Sequence, residues 1–160
     1  MSEEDKVSSA GFPSVVLAYP LALASYDQMQ KRMDVVENRL QTLLGFTTTL
    51  TLALIAAVSG KAVSFQSGWF YAGLAFFGLG EALGVYAKLS GSLQVLSPAT
   101  LYREWLTWGE WEFKKNMVFW AGEAYAVNKR EVNRKGNMAS MSAILFLLEA
   151  AGFAVWLARA

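Results

Sequence analysis

The stretch LQTLLGFTTTLTLALIAAVSG, residues 40–60, runs for 21 residues without a lysine, arginine, aspartate or glutamate. About 20 residues of α-helix cross the hydrocarbon core of a bilayer, so this stretch is long enough to span one. Immediately after Lys61 comes a second uncharged run of 19 residues, 62–80. Two such runs joined by a short polar connection predict a transmembrane hairpin, with a first span over residues 42–59 and a second over 69–87. Trp69, Phe70 and Tyr71 at one end and Tyr86 with Lys88 at the other are the aromatic and basic residues that anchor a span at its two interfaces. A third apolar stretch, about residues 138–157 and closed by Arg159, adds one more span. The expected fold class is an all-α integral membrane protein with three transmembrane helices and cytosolic helical extensions that form a coiled-coil-like bundle.

Composition agrees with that expectation and removes much chemistry. With 54% hydrophobic and 17% charged residues, the chain is too apolar for a water-soluble domain of 160 residues. It has no cysteine and no histidine, which excludes disulfides, thiolate chemistry, Cys/His zinc sites, Ser-His-Asp triads and an imidazole switch. The acids are scattered, no metal-ligand spacing occurs, and no nucleophile has a candidate base. We therefore expect no catalytic residues, no metal, no cofactor and no enzymatic activity. The acidic opening Met-Ser-Glu-Glu-Asp-Lys lacks a basic lead into an apolar stretch, so no cleavable secretory signal is expected.

Residues 1–18 read as a flexible arm. Over residues 19–41, Tyr19, Ala22, Tyr26, Met29, Met33, Val36 and Leu40 recur at spacings of three and four, which predicts an amphipathic cytosolic helix leading into the first span. Tyr26, Met29, Met33, Val36 and Leu40 are its candidate oligomer seam. After a linker over 89–97, Ser97 and Pro98 form a helix start signal. The segment 89–136 then gathers Trp105, Trp108, Trp111 and Trp120 among charged residues, as suits the headgroup boundary. Within it Phe113, Met117, Trp120, Ala124 and Val127 predict a second cytosolic helix packed on the first. Its end, with Lys129, Arg130, Arg134 and Lys135, can grip lipid headgroups or another anion, a nucleotide included, or serve simply as a topological anchor.

Glu81 and Glu149 lie inside apolar spans, where a charged side chain costs about 2.5–3.5 kcal/mol at the helix centre. Each must be neutral, paired or in contact with water. By wheel position Glu81 borders Gly73, Gly80 and Gly84, and Glu149 shares a face with Ser142 and Gly152, so both point at other helices. Their expected difference in depth is roughly 10 Å from helical rise. Two readings stay open for each: a proton- or cation-binding carboxylate or pore-lining group, and a protonated acid acting as packing glue. Thr47, Thr48, Thr49 and Thr51 either line a hydrophilic path with them or bond back to carbonyls of the preceding turn. Gly80 and Gly84 make a GxxxG pattern which, with Gly73, lets a second backbone approach. With Gly78 it imitates a dinucleotide fingerprint, but no strand precedes it.

This order of parts, an amphipathic helix running into a transmembrane hairpin, a helical segment after Pro98, and residues 128–135 leading into a last span, resembles the small bacterial transmembrane effector domains of nucleotide-signalled antiphage systems, such as the transmembrane effectors of Pycsar. The resemblance is one of layout over most of residues 20–158, and it carries over no functional residue. It implies a homo-oligomeric protein of the bacterial inner membrane that perturbs or conducts across it as a defence or toxic effector. The alternative is a non-conducting anchor or accessory subunit that holds a cytosolic partner through its helices.

Charge sets the expected orientation. With the N-terminus inside, Lys6, Lys31, Arg32, Arg39, Lys88, Arg103, Lys114, Lys115, Lys129, Arg130, Arg134 and Lys135 are cytoplasmic, and only Lys61 and Arg159 are outside. Twelve against two is a strong positive-inside bias. Alkaline phosphatase fused after the last span is expected to be active; a silent fusion would reverse the orientation.

Overall fold

The computed structural model describes Phe12, residues 14–59 and residues 65–159. Four helical elements follow one another: α1 (Val15–Val58), α2 (Gly68–Leu89), the short α3 (Pro98–Thr100), which passes into a π-helical turn (Leu101–Trp105), and α4 (Glu110–Arg159). Among the described residues there is no strand. Three helices, α1, α2 and α4, are long and apolar enough to cross a membrane. Residues 61–64 of the 61–68 connection, and residues 1–11 and 13 of the expected N-terminal arm, lie outside the described residues.

The helix ends follow local chemistry. Ser67 caps α2, its hydroxyl accepting from the Trp69 N–H at 3.3 Å, and the Ser90 N–H bonds back to the Tyr86 carbonyl. Gly91 then leaves the helix at φ 73°, a left-handed conformation that glycine adopts without a steric penalty. Ser97 accepts from the Ala99 N–H at 3.2 Å, so the predicted start signal is used. The helix it starts is short, because the chain widens into the π turn, with the Leu106 N–H bonding the Leu101 carbonyl, and restarts at Glu110. Glu110 and Glu112 in the first turn of α4 and Arg159 in its last complement the helix dipole.

Two boundaries differ from expectation. Helix α1 begins at Val15 and carries Pro20 inside it, so proline does not mark the start. No lysine, arginine, aspartate or glutamate occurs over residues 7–26, and that apolar run sustains the helix upstream of the expected boundary. Helix α4 continues without a break from Glu110 to Arg159, since between residues 128 and 138 nothing stronger than Gly136 opposes helix.

The chain divides into two compact units, one drawn from Met1–Met33 and Ser92–Val132, the other from Asp34–Gly91 and Asn133–Ala160. In the first, Asn128 is fully buried and its amide clasps the extended backbone at Gln94, accepting from the Gln94 N–H at 2.7 Å and donating to its carbonyl at 3.2 Å. Tyr26 donates to the same carbonyl and its ring lies against Trp120. Trp105 is buried, stacked on Trp108 and edge-on to Phe113. Val127 is 42% exposed, so the polar Asn128, one residue on, takes the inward position expected of it.

In the second unit three helical stretches pack together. Leu44 faces Gly84 and Thr47 meets Glu81, so α1 and α2 run antiparallel. Glu37 meets Lys135 and Thr51 meets Glu149, a constant offset of 98 positions, so α1 and α4 run parallel. The closest approach lies between α2 and α4: a Cβ on Gly152 would sit 3.1 Å from the backbone of Gly73, and one on Gly73 would sit 3.0 Å from the Phe153 ring. A Cβ on Gly84 would meet the flexible end of Leu44, whereas one on Gly80 would find ordinary contact with Leu145 at 3.5 Å. Gly80 is thus not needed for close packing, and Gly152 is. Gly152→Val is expected to lower stability by about 1–3 kcal/mol through overpacking, while Gly78→Ala, where nothing lies within 4 Å, is neutral or slightly stabilising; thermal melts in detergent compare the two, and equal melting temperatures would refute the contact.

Candidate functional site

The polar groups of the second unit form a column inside it. At one end the Lys135 ammonium, its side chain only 2% exposed, reaches Glu37 at 2.7 Å. An apolar layer of Leu40, Ala87 and Ala139 follows. Beyond it Thr47 and Thr48 meet Glu81, and one helical turn further Thr51 donates to Glu149 at 2.6 Å. Val58, Phe153 and Trp156, with Leu54 and Phe70 against them, close the far end. The two acids are held by Thr47 and Thr51, four residues apart on α1, so their levels differ by about 6 Å rather than the expected 10 Å.

Hydroxyl geometry gives this interval its chemistry. Thr47 lies within hydrogen-bond reach of both the Leu44 carbonyl, at 3.1 Å, and Glu81; Thr48 reaches the same carbonyl at 2.8 Å and Glu81 at 3.3 Å. A hydroxyl has one proton to donate and two lone pairs to accept with. When Glu81 is ionised, a threonine donates to it. When Glu81 is protonated, it donates to the hydroxyl, which turns to the carbonyl. Either state of the acid therefore keeps a partner. Glu149 is 1% exposed and accepts from the buried Thr51 at 2.6 Å. Ser142, 6% exposed and without a hydrogen-bond partner for its hydroxyl among the described residues, lines with Thr47 a cavity of about 10 Å³, the size that holds one water. Thr49 is exposed and bonds back to Gly45, away from the column.

Two groups of expected site residues are corrected. The seam of Tyr26, Met29, Met33, Val36 and Leu40 is used within the chain: Met29, Met33 and Leu40 are 1%, 4% and 0% exposed and Tyr26 and Val36 are partly buried, which leaves them no face for a second copy. Of the basic stretch, Lys129, Arg130 and Arg134 are exposed, but Lys135 is buried against Glu37 and cannot reach a headgroup. Residues overlooked in the sequence are Asn128, Lys135 in its buried role, and Ser142. The available signal was a period of seven: Asn128, Lys135, Ser142 and Glu149 recur every seventh residue on α4, and all four are buried. Two turns of helix take seven residues, so one face carries them all.

Among the described residues no group of three or more carboxylates could hold a metal ion. No protein-family model, no curated protein and no solved structure matches the chain.

The Glu37–Lys135 pair is asymmetric, since the Glu37 side chain is 46% exposed. Glu37→Gln strands a buried ammonium and is expected to cost about 3 kcal/mol, whereas Lys135→Met leaves only a hydrated carboxylate and costs less than about 1 kcal/mol. Thermal melts of the two variants check the order, and the reverse order would show that Lys135 is not the group that needs its partner.

Proposed function

We propose that this chain is a non-enzymatic integral membrane protein of a bacterial inner membrane, N-terminus cytoplasmic, that lets protons or small cations cross through the polar interval of its second unit. The observation that carries the proposal is the exchangeable pairing of Glu81 with Thr47 and Thr48, with a second buried acid, Glu149, hydrogen-bonded to Thr51 one turn away. A group that relays protons must keep a hydrogen-bond partner in both of its states, and Glu81 does. The Leu40 layer on one side and the Phe153–Trp156 cluster on the other make this a closed arrangement that one of those layers must open. Because the expected self-assembly seam is used within the chain, the proposed path runs through a single copy and not between copies. The layout shared with transmembrane antiphage effectors points to a defence or toxic role.

The anchor reading has its own observation. In the first unit Leu17, Leu21, Tyr102 and Leu106 are 74%, 69%, 77% and 67% exposed, an apolar surface that a partner protein could cover. One experiment separates the two. In liposomes with an imposed pH gradient and a trapped pH-sensitive dye, the wild type is expected to collapse the gradient well above the rate of empty vesicles. Glu149→Gln and Thr51→Val should each slow this by about tenfold, which corresponds to 1.4 kcal/mol in the barrier, with helicity retained. A wild-type rate equal to that of empty vesicles, with and without an applied potential, would leave the anchor reading.

A further inference from the structure

Between α1 and α4 of the second unit, apart from the polar column, lies a groove of about 610 Å³ lined by Val35, Val36, Leu43, Ala139 and Ala143 together with Asn38, Arg39, Thr42, Ser140 and Gly136. Its volume falls within the range of about 300–1,000 Å³ typical of small-molecule sites. On α1 the polar Asn38, Arg39 and Thr42 lie between the apolar pair Val35 and Val36 and the apolar Leu43, and on α4 Gly136, Ala139, Ser140 and Ala143 line the other side. No charged residue follows Arg39 on α1, so the groove straddles the level at which the helix passes from headgroups to hydrocarbon. Arg39 is the one charged residue in the lining, and it makes no hydrogen bond or ion pair with any described residue. The nearest acid on its helix, Glu37, is engaged by Lys135.

We infer that this groove is a binding site for one anionic phospholipid of the inner leaflet. The Arg39 guanidinium receives the phosphodiester, for which its forked donors are suited. Asn38 and Thr42 supply neutral hydrogen bonds beside it, and an acyl chain follows Leu43 and Ala143. Charge complementarity selects this occupant. The inference rests on the three spans crossing a membrane and not on conduction.

The test uses the full purified chain in an uncharged detergent, melted with added dioleoyl phosphatidylglycerol or dioleoyl phosphatidylcholine. Phosphatidylglycerol is expected to raise the melting temperature by roughly 3 °C or more, and phosphatidylcholine by much less. Arg39→Gln should abolish the difference between the lipids, Ala143→Phe should remove the shift by filling the groove, and Lys31→Gln, an exposed basic change outside it, should leave the shift intact. Equal shifts from the two lipids, a full shift in Arg39→Gln or Ala143→Phe, or loss of the shift in Lys31→Gln would each overturn the site. In this cysteine-free chain, Ser140→Cys gives a direct check on the other occupant: efficient disulfide dimers in membranes would assign the groove to a second copy. The melts do not depend on flux, so failure here and failure of the conduction reading are told apart.

Discussion

A carboxylic acid inside an apolar helical bundle needs a hydrogen-bond partner before the helices can close, and in this chain the partners come from one helix. Thr47 and Thr51, one turn apart on α1, take Glu81 from α2 and Glu149 from α4. An intramolecular hydrogen bond contributes only about 0.5–1.5 kcal/mol net, but leaving a buried polar group without one costs about 1–3 kcal/mol. The penalty therefore acts mainly against wrong registers. Sliding α4 by one residue along α1 would strand Glu149 and would also pull Lys135 off Glu37, because both pairs keep the same offset. The glycine contact follows from this register: with Glu149 fixed against Thr51, Gly152 comes opposite Gly73, where no side chain fits.

Much of this was legible in the residues, and the parts that were not share a cause. Two uncharged runs and a third apolar stretch located the three helices that are long and apolar enough to cross a membrane, because the cost of burying charge in lipid is large and does not depend on partners. The inward direction of Glu81 and Glu149 followed from the same cost and the helical wheel. Boundaries are harder to read where local signals are weak: an apolar run carries α1 upstream of residue 19, and only one glycine opposes helix between the basic stretch and the last apolar one. Gly152 was hidden because a close approach is a property of two helices, and the GxxxG pattern on α2 drew attention to Gly80, which has room for a side chain.

Lys135 shows the limit most clearly. In sequence it belongs to a basic run with Lys129, Arg130 and Arg134, and composition treats the four alike. Geometry does not. Each residue turns the helix by about 100°, so a run of eight residues covers every face, and of the four basic residues only the one seven positions from both Asn128 and Ser142 points inward. A period of seven in polar residues is easily missed when the search is for apolar ones. Here it runs from Asn128 through Lys135 and Ser142 to Glu149, and the conserved element of the pattern is direction, not hydrophobicity.

The distribution of polarity in the second unit is inverted relative to a water-soluble bundle. Thr51, Ser142 and Glu149 are buried, while Leu52, Ile55, Ile144 and Leu147 are 62%, 46%, 57% and 65% exposed. In water, that exposed surface would be a strong drive to aggregate. In the membrane setting proposed, lipid tails are as apolar as leucine, so exposing it costs little and hydrophobic burial contributes little to helix association. Packing contacts and interhelical hydrogen bonds must then hold the helices together. The Gly73–Gly152 approach supplies the first and the two glutamate–threonine pairs supply the second, which means that the groups proposed to move protons are also the groups that fix the register. A bundle built this way cannot shed its acids to gain stability without losing its alignment, and it cannot open its polar interval without loosening the contacts that define it. In the conduction proposed, opening therefore falls to the apolar layers at either end, Leu40 and the Phe153–Trp156 cluster.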